Sequence, residues 1–73
     1  MSKLVTMLRL SAEADKAKAL LSLDLLENKA VGIGDHSTED FYKNAEEAMI
    51  KLVDADDRIE ALEKYFPPTK EVI

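Results

Sequence analysis

Cysteine is missing from this chain, and histidine, glycine and proline are nearly so, with one histidine, two glycines and two prolines among 73 residues. Without cysteine there can be neither a disulfide framework nor a thiolate metal site. Long apolar runs are missing as well. The opening MSKLVTMLRLSAEADKAK holds only short apolar stretches and no small-residue cleavage site, so it does not read as a signal peptide or a membrane span. Positive charge is in deficit: ten Lys and Arg against fifteen Asp and Glu leave a formal net charge of −5. That balance argues against gripping a phosphate backbone, which requires neutralising cations. A soluble cytoplasmic protein is expected, with no membrane partner and no direct contact to nucleic acid.

A chain this short makes one small domain and cannot build a large core alone. Such chains find further stability in a cofactor, a metal or another subunit. With a single histidine, His36, and no cysteine, a subunit is the expected source, and no cofactor is implied. The hydrophobic fraction of 47% is that of an ordinary folded protein.

Because glycine and proline are so rare, the places where they occur punctuate the chain. The two breaks are Gly32-Ile33-Gly34-Asp35 and Pro67-Pro68. Between them, eight apolar residues (Phe41, Ala45, Ala48, Leu52, Ala55, Ile59, Leu62 and Phe66) alternate at spacings of four and three. That is the seven-residue repeat of a helix packed lengthwise on another helix. A strand cannot use it, since strand side chains change face at every residue. Gly32 and Gly34 are placed to end a first helix and reverse the chain. Ser37 is placed to cap the second helix, with Asp40 completing a capping box and Glu39 adding negative charge at the positive end of the dipole. Pro67 stops that helix near Tyr65. The predicted organisation is all-α: a helix over about 2–29, a loop over about 30–37, a helix over about 38–66 and a tail over 67–73. Two helices of roughly 40 Å joined by one short loop form an antiparallel hairpin.

The first helix carries two apolar faces rather than one. Met7, Leu10, Ala14, Ala17, Leu21 and Leu25 share one side; Val5, Leu8, Ala12, Ala19, Leu23, Leu26 and Ala30 share the other. A helix that only covers its own hairpin needs a single stripe. Val5, Leu8, Ala12, Ala19, Leu23 and Leu26 are therefore assigned to contact between copies, and the seam from Phe41 to Phe66 to contact within the chain. The expected assembly is a homo-oligomer, most simply a dimer of hairpins forming a four-helix bundle.

Candidate chemistry is sparse. Gly32-Ile33-Gly34 follows a predicted helix and lacks a third glycine, so it reads as a turn rather than a dinucleotide-binding fingerprint. His36 beside Asp35 has no nucleophile near it in the sequence and reads as a polar loop residue. The run Asp54-Ala55-Asp56-Asp57, with Glu60 and Glu63, is the strongest enzymatic lead. Asp54/Asp57, Glu60/Glu63 and, on the first helix, Asp24/Glu27 are each three apart and share helix faces. Paired carboxylates on facing helices hold magnesium in all-helical nucleotide pyrophosphohydrolases, which sets the alternative reading. The simpler reading is a solvated acidic face neutralised locally by Arg58 and Lys64. As an acidic surface, Asp54, Asp56, Asp57 and Glu60 could also meet a basic protein, although Lys43, Lys51, Arg58 and Lys64 interrupt the stripe.

The stretch AVGIGDHSTEDFYKNAEEA, followed by LVDADDRIEALEKYF, resembles small uncharacterised proteins encoded by T-even-like phages of cyanobacteria. The resemblance covers residues 30–66 and implies a viral protein acting in the cytoplasm of a bacterial host; it brings no catalytic residues with it. Together these features predict a small acidic oligomeric helical protein that binds or modulates another protein, with a host protein as its candidate target. The loop is predicted to carry structure rather than chemistry. Ser37→Ala should cost about 0.5–2 kcal/mol, and Gly34→Val at least as much if Gly34 sits at a left-handed angle. His36→Ala should leave the melting temperature unchanged. Thermal melts of the three variants check this, and loss of partner binding in His36→Ala alone would make the loop a functional site.

Overall fold

A serine sets where the first helix begins. In the computed structural model, which describes residues 2–29 and 38–67, the Val5 N–H donates to Ser2 Oγ at 3.0 Å and the Thr6 N–H donates to the Ser2 carbonyl at 3.0 Å. This N-cap satisfies an amide that the first turn leaves without an intrahelical partner. Helix α1 then runs from Lys3 to Lys29 without interruption, passing through Ser11. Helix α2 runs from Thr38 to Tyr65, with Glu39 and Asp40 in its first turn and Lys64 in its last, each on the side the helix dipole favours. The Phe66 N–H still donates to the Leu62 carbonyl at 2.8 Å, but Phe66 lies in a bend just before Pro67, which cannot donate a helical bond. The glycine turn, His36 and the expected Ser37 cap lie outside the described residues, as do residues 68–73 of the tail. Among the described residues there is no strand, and no helix is long and apolar enough to cross a membrane.

The two helices form an antiparallel hairpin. Arg9 near the start of α1 meets Glu63 near the end of α2, Asp15 meets Arg58, and Lys16 meets Asp56. Between these ion pairs lies a core built from small residues at heptad spacing. Val5, Ala12 and Ala19 are buried on α1, and Ala48, Ala55 and Leu62 on α2. Ala12 and Ala55 are wholly buried, and no large side chain among the described residues is. Leu23 and Leu26 on α1 are half-buried beside the core, as are Phe41, Ala45, Leu52 and Ile59 on α2. Phe66 is 54% exposed beyond the end of α2, so the buried seam closes at Leu62. Alanine at these positions permits interaxial distances toward the short end of the usual 8–10 Å range, but each methyl group removes little apolar area from water.

One expectation is corrected here. The face holding Val5, Ala12, Ala19, Leu23 and Leu26 was assigned to contact between copies; it is the face that α2 covers within the chain, leaving only Leu8 substantially open at 42% exposure. The reason lies at its edges. Arg9 and Lys16 border this face on one side and Asp15 on the other, and all three find opposite charges on α2. Its Ala12 and Ala19 also fit the alanines of α2, while Met7, Leu10, Leu21 and Leu25 face away. If the alanines set the helix spacing, Ala12→Leu should lower stability by about 1–3 kcal/mol through overpacking. Urea unfolding at one fixed protein concentration measures this, and an unchanged midpoint would show that the helices do not meet closely there.

Candidate interaction surfaces

Three ion pairs cross between the two helices of the hairpin. Arg58 is the hub. Its Nη2 donates to Asp15 Oδ2 on α1 at 2.7 Å, and its Nε donates to Asp54 Oδ2, one turn earlier on α2, at 3.1 Å. The hydrogen bond from Arg58 holds the Asp15 carboxyl below its ordinary value of 3.8, helped by the guanidinium charge and by Lys18 and Lys51. The same hydrogen bond raises Arg58 further above its ordinary value, with added attraction from Asp54. On the α1 side, Arg9 Nη1 lies 3.4 Å from Glu63 Oε2 and 3.9 Å from Glu13 Oε2, and Lys16 Nζ lies 3.1 Å from Asp56 Oδ1. All of these pairs are at least partly open to water, so each one alone contributes little and salt screens it.

This network decides what the carboxylates can do. In the pair Asp54/Asp57 the first member is tied to Arg58; in Glu60/Glu63 the second is tied to Arg9. In Asp24/Glu27, Asp24 accepts from Asn28 Nδ2 at 2.8 Å, and the same amide donates to the Asp24 carbonyl at 2.9 Å. The three pairs do not converge, and no group of three or more His, Asp or Glu is arranged to hold a metal ion among the described residues. Of the members left over, Glu27 is exposed on α1, and Asp57 and Glu60 are exposed on the outside of α2. Those two join Glu39 and Glu46, and none of the four makes an ion pair among the described residues.

Three surfaces remain open. An open groove of about 750 Å³ runs along one side of the hairpin, floored by Ala19 and Ala48 and rimmed by Lys18, Lys51 and the Asp15–Arg58–Asp54 chain. Among the described residues, Ser22 is its only hydroxyl and no histidine lines it, so these residues assemble no nucleophile with an adjacent base there. The outside of α2 is acidic, with Met49, Ile50 and Val53 exposed next to one another and Tyr42 two turns before them. The outside of α1 is apolar: Met7, Leu10 and Leu21 are 52%, 59% and 59% exposed, in line with exposed Ala14 and Ala17.

The cross-helix ion pairs went unread in the sequence, where Arg58 is matched only to its near neighbours. A usable signal was present. Arg9, Asp15 and Lys16 run positive, negative, positive along α1, and Glu63, Arg58 and Asp56 run negative, positive, negative when α2 is read backward. A scan against protein-family models gives no match, and searches of curated proteins and of solved structures give none either.

The Asp15–Arg58 pair has a defined pH signature. Because the folded-state carboxyl is depressed, its stabilisation is fully present above the ordinary value of 3.8 and is lost as pH falls through the depressed one. In Arg58→Met the Asp15 titration, followed by carboxyl carbon NMR, should move up toward 3.8. The acid limb of the stability curve should lose the contribution of this pair. A titration that stays where it was would show that Arg58 is not its cause.

Proposed function

We propose that this chain is a small acidic interaction protein that works as an oligomer and binds or modulates another protein, using no chemistry of its own. The observation that carries this reading is the contrast between its two outer faces. The outside of α1 carries an apolar stripe from Met7 to Leu21, whereas α2 carries nine carboxylates against four basic residues and sets Glu39, Glu46, Asp57 and Glu60 outward. An apolar face at helical spacing suits self-association. An acidic face with unpaired carboxylates suits a partner whose contact surface is basic, since charge complementarity steers association and selects partners. The resemblance of residues 30–66 to proteins of cyanobacterial phages supports a setting in the host cytoplasm, with a host protein as the target.

The acidic face is tested by capture from a bacterial lysate with the wild-type chain and with Asp57→Lys/Glu60→Lys. These two residues make no hydrogen bond or ion pair among the described residues, so the variant should fold normally by circular dichroism. A partner with a basic contact surface should be recovered by the wild type, lost at raised salt and lost in the variant. Recovery that ignores both salt and the variant would overturn the reading. So would saturable magnesium binding accompanied by nucleotide turnover that Asp54→Asn or Asp57→Asn abolishes, which would establish the hydrolase alternative.

A further inference from the structure

The largest apolar side chains of α1 lie outside the core. Met7, Leu10, Ala14, Ala17 and Leu21 recur at alternating spacings of three and four, the repeat of a helix that meets another helix along its length. This stripe lies half a turn from Val5, Ala12 and Ala19, on the side of α1 away from α2. We infer that a second copy of this chain occupies the outer face of α1, helix against helix, parallel and in register. The two acidic α2 helices then flank a central α1 pair in a four-helix assembly. The inference rests on the reading of this chain as an oligomeric interaction protein, and names the surface and geometry by which it self-associates.

Charge selects α1 over α2 as the facing helix. Helix α1 carries five basic and four acidic residues, close to balance, whereas α2 carries four basic and nine acidic. Two α2 helices brought together would repel; two α1 helices do not. Residues at the edges of the stripe then select the orientation. In a parallel in-register pair, each residue on one edge meets the residue five positions further along on the opposite edge of the second copy. Thr6 meets the second copy's Ser11, Glu13 meets its Lys18, and Leu20 meets its Leu25, and each contact is made twice by symmetry. Polar faces polar, negative faces positive, and apolar faces apolar. An antiparallel pair instead sets Glu13 beside Leu20, a charge against an apolar side chain; its other edge contacts, Thr6 with Glu27, Ser11 with Lys18 and Leu4 with Leu25, include no pair of opposite charges.

The charges that form this contact are available. Lys18 makes no ion pair among the described residues, and Glu13 is held only loosely, 3.9 Å from Arg9. Leu20 and Leu25 are each 47% exposed. The apolar repeat ends at Asp24, where a leucine would continue it. Its carboxylate turns back along its own helix to accept from Asn28 at 2.8 Å, so the contact runs from about Thr6 to Leu25, roughly 30 Å.

The absence of cysteine makes the test direct. Light scattering of the purified wild-type chain at micromolar concentration should report a dimer. Leu10→Cys, under mild oxidation, should give a covalent dimer, because the parallel register sets residue 10 against itself; Leu21→Cys should do the same. In an antiparallel pair residue 10 faces residue 21, so crosslinking only between the two variants would overturn the register. Glu13→Lys and Lys18→Glu should each weaken dimerisation about tenfold, and the double exchange should restore it to within about threefold. Lack of restoration, or a wild-type chain that stays folded and monomeric, would overturn the inference. These measurements need no partner protein, so a monomer that still captures a basic partner separates failure here from failure of the acidic-face reading.

Discussion

The packing of α1 on α2 along a line of buried alanines is the constraint on which the rest of the molecule depends. Ala12 and Ala55 are wholly buried, and Ala19 and Ala48 nearly so. Methyl groups at heptad spacing let two helices run side by side at short distance. That distance brings Arg58 within 2.7 Å of Asp15 and Lys16 within 3.1 Å of Asp56 across the junction. With bulkier residues in the seam, the axes would separate and these side chains would lose reach. The same alanines set the weakness of the hairpin: they bury little apolar area, and no large side chain among the described residues is fully removed from water.

That weakness explains the distribution of everything else. A two-helix unit with so thin a core gains from any further burial, and about half of the apolar side chains of α1 stand on its outer face. Charge is distributed to match. The near-neutral helix carries the apolar stripe, and the acidic helix carries the surplus carboxylates. Self-association through α1 would bury what is costly to hydrate and leave exposed what is cheap to hydrate. It would also hold two acidic faces on opposite sides of one particle, the arrangement for engaging a basic partner at more than one point.

The acidic residues also show how a motif can mislead. Carboxylates three apart on two helices are the raw material of a divalent-metal site. In this hairpin Asp54 and Glu63 are occupied by arginines and Asp24 by an asparagine, while Asp57 and Glu60 point the other way. Spacing along a helix reports which side chains share a face; it does not report whether two faces turn toward each other.

How much was legible follows from the range of the interactions involved. The helical state of both segments, the end of α2 at Tyr65 and the continuity of α1 through Ser11 rest on local chemistry: periodicity, a proline, and the rarity of glycine. The sequence by itself determined these, because they depend on neighbours within about a turn. It also determined that α1 has two apolar faces. Which of those faces turns inward was decided only in the tertiary structure. Both faces carry comparable apolar weight, so periodicity is blind to the difference. The choice lies in ion pairs between residues 40 to 54 positions apart, Lys16 with Asp56 and Arg9 with Glu63 among them. It lies also in the fit of small residues on one helix to small residues on the other. Both exist only once the chain has doubled back on itself.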